Sequence, residues 1–109
     1  MVDPEIVAIV RQYLAVLPEY GVHGKSAVLF GSFARGDEGQ ESDIDLLVIA
    51  PEFDERRDID FVKQLWRARV RSDQRIEPVP CGEREWESGV RDRPVVDIAR
   101  TAGELIEAE

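Results

Sequence analysis

The sequence holds one cysteine, one histidine and one methionine in 109 residues, and basic side chains are outnumbered, 14 against 23 acidic ones. A single thiol, Cys81, excludes an intramolecular disulfide and a cysteine-rich zinc site, which leaves it the role of a small apolar filler. The lone His23 falls between Gly21 and Gly24, a turn signal, and reads as a loop residue rather than a ligand. The longest apolar runs, such as residues 44–50 broken by Asp45, fall far short of the ~20 residues a membrane span needs. The first residues are acidic, unlike a basic signal-peptide head, so a cytoplasmic protein away from membranes is expected. A net charge of -9 repels a phosphate backbone, and no long nucleic acid is expected as a partner. The one basic cluster, Arg67, Arg69, Arg71 and Arg75, reads as a solvated helix face.

What is present fits one domain over residues 1–109. Apolar residues make up 43% and charged residues 34%, without low-complexity tracts, which excludes a disordered chain. Asp3 followed by Pro4 is a helix start, and Ile6, Val10, Tyr13, Leu14 and Leu17 continue at helical spacing to a stop near residues 18–21. Residues 27–30 and 43–49 read as strands. The spacing of Val62, Leu65, Trp66 and Val70 predicts a second long helix whose apolar stripe carries these residues and which ends near Asp73. Residues 75–79 are extended, and Pro78 and Pro80 favour an edge position. Trp86 and Val90 predict a helical turn, Pro94 starts another helix through Ile98 and Ala102, and Gly103 ends it before a strand at Leu105 and Ile106. The order predicts an α+β (α/β two-layer) domain, a small mixed sheet with helices on one face.

The informative stretch is LFGSFARGDEGQESDIDLLVIA, residues 29–50. Asp43 and Asp45 alternate with Ile44, Leu46 and Val48 inside a strand pattern, where a carboxylate costs several kcal/mol unless it is paired, hydrogen-bonded or bound to a metal. Residues two apart in a strand share a face, which sets the two aspartates side by side with Cα atoms ~6.6 Å apart. A divalent cation relieves the repulsion of two such carboxylates, and Mg²⁺ prefers oxygen ligands of this kind. Ile44 and Leu46 then face the core, so the strand is read as apolar on one side and ionised on the other. Upstream, Gly31-Ser32 follows a strand, where backbone N–H groups and the Ser32 hydroxyl can converge on a phosphate. Arg35 lies one helical turn further on, within reach of the same anion, and Gly36 lets the chain turn back.

A strand, Gly31-Ser32, the ten-residue spacer 33–42, then Asp43-Ile44-Asp45-Leu46 resembles the minimal nucleotidyltransferases of the DNA polymerase beta superfamily. The resemblance implies the nucleotidyltransferase fold and Mg²⁺-dependent transfer of a nucleoside monophosphate, AMP from ATP or its equivalent from another NTP, to a hydroxyl. It implies two Mg²⁺ ions held by Asp43 and Asp45, with a third carboxylate from a later strand that also assists deprotonation of the acceptor. Glu77 is the candidate, provided residues 76–79 pair beside 43–49. Gly31, Ser32 and Arg35 are then the nucleotide-binding residues. Larger relatives carry an acceptor-binding domain for which 109 residues leave no room, so the acceptor is expected on a partner. The resemblance points to the antitoxin of a pair with a HEPN-type toxin protein. Two other readings stay open: a non-catalytic antitoxin docking through its ten acidic residues between Asp37 and Asp60, and a small-molecule transferase of the aminoglycoside-modifying type acting as a homo-oligomer.

Overall fold

A computed structural model describes residues 2–31, 43–88 and 93–108. Helix α1 (Pro4–Val16) starts as its sequence predicts: Asp3 Oδ1 accepts the Glu5 N–H at 2.9 Å and Pro4 supplies the first turn. A 3₁₀ turn (Leu17–Tyr20) follows and Gly21 closes it with φ 85°, a conformation that favours glycine.

Four strands then form one mixed sheet in the order β3-β2-β1-β4. Strands β1 (Ser26–Phe30) and β2 (Ile44–Ile49) are antiparallel, with Phe30 opposite Asp45. Strand β3 (Ile76–Cys81) runs parallel to β2, with Asp45 opposite Glu77, and β4 (Glu104–Glu107) closes the other edge antiparallel to β1. Parallel neighbours require a crossover, supplied here by α2 (Ile59–Ala68). The ladder between β2 and β3 begins with the Ile44 N–H on Arg75 O at 2.8 Å and ends with the Ala50 N–H on Cys81 O at 3.0 Å. Odd-numbered β3 residues therefore serve the ladder, and Pro78 and Pro80 turn their missing N–H groups to the free edge.

The larger core lies on the face of Ile44, Leu46 and Val48, against Tyr13, Leu14, Phe53, Phe61 and Leu65. Each such buried side chain contributes roughly 1.5–3 kcal/mol. The Tyr13 hydroxyl donates to Leu65 O at 2.6 Å, tying α1 to α2, and burial raises its pKa so that the phenol stays protonated.

Two expectations are corrected here. The buried stripe of α2 is Phe61, Leu65 and Ala68, whereas Trp66 is 42% exposed and Val70 73%. Both stripes have helical spacing, and the ring contact of Phe61 with Phe53, centroids 5.5 Å apart, selects the first. Helices also lie on both faces of the sheet. Behind α1 and α2, the opposite face packs Val28, Leu47, Ile49 and Cys81 against Val96 and Ala99 of α4 (Pro94–Ala102). Cys81 is the buried filler its sequence predicts, and burial pushes its thiol pKa up to about 12. His23 lies in a loop, its Nδ1 2.6 Å from Glu52 Oε2.

A third small helix, α3 (Glu83–Ser88), is held by Glu85. Val90, predicted to continue that turn, lies outside the described residues. The Glu85 carboxylate accepts from Arg57, from Arg93 Nη1 at 2.9 and 3.0 Å, and from the Gly82 N–H at 3.3 Å. Burial opposes its ionisation, but the two guanidinium groups outweigh burial and hold its pKa below 4.5. A carboxyl depressed in this way stabilises the fold above its ordinary pKa, and that contribution is lost as pH falls through the folded value. Glu85→Gln is therefore expected to cost about 1–2 kcal/mol near neutral pH, discounted for the partial exposure of both arginines. In urea unfolding the gap between wild type and variant should close as pH falls below the ordinary carboxylate range. A gap independent of pH would assign it to packing.

Candidate active site

The parallel pairing of β2 and β3 assembles three carboxylates. Asp43 sits exposed immediately before β2, Asp45 lies half-buried within it, and in-register pairing sets Glu77 beside Asp45 on the same sheet face. A one-residue slip would send Glu77 to the opposite face, and the Ile44 N–H on Arg75 O prevents it. Partial burial raises the Glu77 pKa, and so do a hydrogen bond with Asp43 and the negative charges of Asp43 and Asp45; the nearby Arg69 charge opposes them.

Gly31 completes this end of the sheet. It follows β1 directly with φ 74°, and a Cβ added there would lie 3.1 Å from Asp45 Cγ and overlap Asp45 Oδ2. The Asp45 carboxylate therefore rests against the bare Cα of Gly31, so both the backbone angle and the close approach require glycine. The turn expected to bind phosphate begins at the carboxylates. Ser32, Arg35 and Gly36 lie outside the described residues.

The β2 strand is not ionised along a whole side. Asp45 shares its face with Leu47 and Ile49, which continue under α4, so the division runs along the strand: charge at its start, apolar packing further on. This arrangement keeps the carboxylates near solvent and lets the rest of the strand fill the second core.

Arg69, grouped from sequence with a solvated basic face, is instead placed near this site. Its Nη1 donates to Ile76 O at 3.1 Å, one residue before Glu77, and its guanidinium lies 4.7 Å over the Trp66 ring. The signal was available in the i, i+3 spacing of Trp66 and Arg69. Arg71 pairs with Glu19 at 2.9 Å and Arg75 with Asp73 at 2.9 Å, so three of the four arginines of that cluster have protein partners.

Among the described residues, no three His, Cys, Asp or Glu side chains are already posed around a metal-sized point. The donor chemistry nevertheless fits a hard divalent cation. Asp43, Asp45 and Glu77 offer carboxylate oxygens on one face, and the charges of Asp43 and Asp45 add to burial in raising the Glu77 pKa, a repulsion that a cation relieves. Among the described residues, no helix is long and apolar enough to cross a membrane.

A mixed sheet with clustered carboxylates beside a glycine turn defines the class of phosphate-handling α+β domains. Residues 10–93 match the nucleotidyltransferase domain, and the chain belongs to that family of enzymes. A 62-residue segment is 45% identical to a Methanocaldococcus jannaschii protein named "Putative protein adenylyltransferase", covering 56% of this chain and 57% of that relative. The chain thus matches little more than half the length of that relative. The fold is similar to the crystal structure of a Sulfolobus solfataricus protein named "putative nucleotidyltransferase", with TM-score 0.57 and 21% identity over 81% of this chain and 76% of that one.

Proposed function

We propose that this domain transfers AMP from ATP, with Mg²⁺, to a hydroxyl group of a partner protein, and that the partner is a HEPN-type toxin for which it serves as antitoxin. The observation that carries the transfer chemistry is the gathering of Asp43, Asp45 and Glu77 on one sheet face beside Gly31. The protein acceptor is supported by the name of the Methanocaldococcus jannaschii relative, and the toxin by the resemblance of the Gly31-Ser32 and Asp43-Ile44-Asp45 motif to minimal nucleotidyltransferases.

In this reading Asp43, Asp45 and Glu77 hold the cations, and Gly31, Ser32 and Arg35 hold the triphosphate. When bound, Mg²⁺ offsets negative charge on the attacking and leaving oxygens. The acceptor oxygen forms a bond to the α-phosphorus, the bond from that phosphorus to the bridging oxygen of the β-phosphate breaks, and pyrophosphate departs. The hydroxyl proton passes to the Glu77 carboxylate.

The test is incubation of the purified protein with Mg²⁺, a candidate HEPN-type toxin and each NTP labelled in turn on its α-phosphate. Label on the toxin, from ATP above the others, is expected. Label on a small hydroxyl compound, or toxin neutralisation without any label, would overturn it. Glu77→Gln removes the charge and keeps the size, and should lower turnover at least about tenfold, ~1.4 kcal/mol of barrier. The KM for the nucleotide should change little, because two carboxylates remain. A change confined to KM would remove Glu77 from the chemical step.

A further inference from the structure

Building on the protein-acceptor reading, we infer that the outer face of α2 is the surface on which the partner docks, and that it takes an amphipathic helix with acidic flanks. Among the described residues, three of the five exposed large apolar side chains fall in this one segment: Ile59 at 74%, Trp66 at 42% and Val70 at 73%. At ~100° per residue Ile59 and Trp66 line one side of α2 opposite the buried Phe61, Leu65 and Ala68, and Val70 follows in the 3₁₀ turn Arg69–Arg71. A helix apolar on two opposite sides has a second surface to cover.

The charge around the stripe says which partner covers it. Exposed Lys63 and Arg67 border it on one side and half-buried Arg69 on the other, against Asp60 and the helix-capping Asp58, itself paired with Arg56, on a chain whose net charge is -9. Two copies meeting through this stripe would oppose like charges, whereas an acidic helix would complement them. Arg69 ties the stripe to the edge of β3: it stacks on Trp66 and donates to Ile76 O.

The test uses a synthetic amphipathic helix of about three heptads, Leu on one face and Glu on the other, titrated into the full chain without nucleotide while backbone amide shifts are followed. Shifts centred on α2 are expected, with binding at least tenfold weaker for Ile59→Asp/Val70→Asp and for a peptide carrying Lys in place of Glu. The double variant should still bind Mg²⁺-nucleotide, so failure of docking and failure of transfer are read separately. Equal affinity for the Lys peptide, or shifts centred elsewhere, would overturn the inference. A wild-type dimer in sedimentation that the double variant abolishes would likewise overturn it, assigning the stripe to a second copy of this chain.

Discussion

Asp45→Asn is expected to lower turnover by at least about a thousandfold, ~4 kcal/mol of barrier, while leaving the fold intact. The amide is isosteric, so contact with the Gly31 Cα and the pairing opposite Glu77 are kept. It replaces an anionic oxygen, the donor a hard cation needs, by a neutral amide. Removing one of three crowded carboxylates also relieves repulsion, so without Mg²⁺ the variant should melt at the same temperature as wild type or higher. Asp43→Asn should behave alike, since the Asp43 charge acts on Glu77 as that of Asp45 does. Transfer of α-phosphate label and thermal melting on the same preparations check both halves. Full transfer by Asp45→Asn would remove the carboxylate from the site, and a lower melting temperature would make Asp45 structural.

Gly31→Ala is the second large effect, with at least about a hundredfold loss of turnover and about 1–3 kcal/mol of stability. The stability cost arises from φ 74°, which L residues rarely adopt, and from a Cβ overlapping the Asp45 carboxylate. The activity cost arises from the second cause, because Asp45 must move. Gly21→Ala separates them: Gly21 has φ 85°, but its added Cβ would meet nothing closer than Phe61 Cε1 at 3.8 Å. It should lose stability and keep turnover. Similar activity in both alanine variants would show that Gly31 serves the turn alone.

The strand that carries Glu77 was legible in the sequence because alternation is unforgiving. Once Ile76 is buried, Glu77 must share a face with Asp45. The edge position of β3 followed from Pro78 and Pro80 for the same reason, since only the free side tolerates missing N–H groups. The inner face of α2 was legible only at Leu65. Phe61 and Ala68 share helical spacing with Leu65, as Trp66 and Val70 do nearly as well, and the choice rests on Phe53 and on the Tyr13 hydroxyl finding Leu65 O. No local pattern encodes those long-range partners. The helix from Pro94 to Ala102 was legible but its place on the second sheet face was not, because α4 buries only Val96 and Ala99 and leaves Ile98 half exposed, too weak a stripe to assign to a side. Arg69 looked like one more surface cation until the edge of β3 came beside it.

The most direct measurement is a calorimetric titration of the whole chain with an ATP analogue whose α- and β-phosphorus atoms are joined by a methylene group, with Mg²⁺ and with a chelator in its place. The account predicts one saturable site that requires Mg²⁺ and is weakened at least about tenfold by Asp45→Asn. Binding of equal strength in the chelator, or in Asp45→Asn, would contradict the claim that the carboxylate face beside Gly31 takes the metal-bound nucleotide.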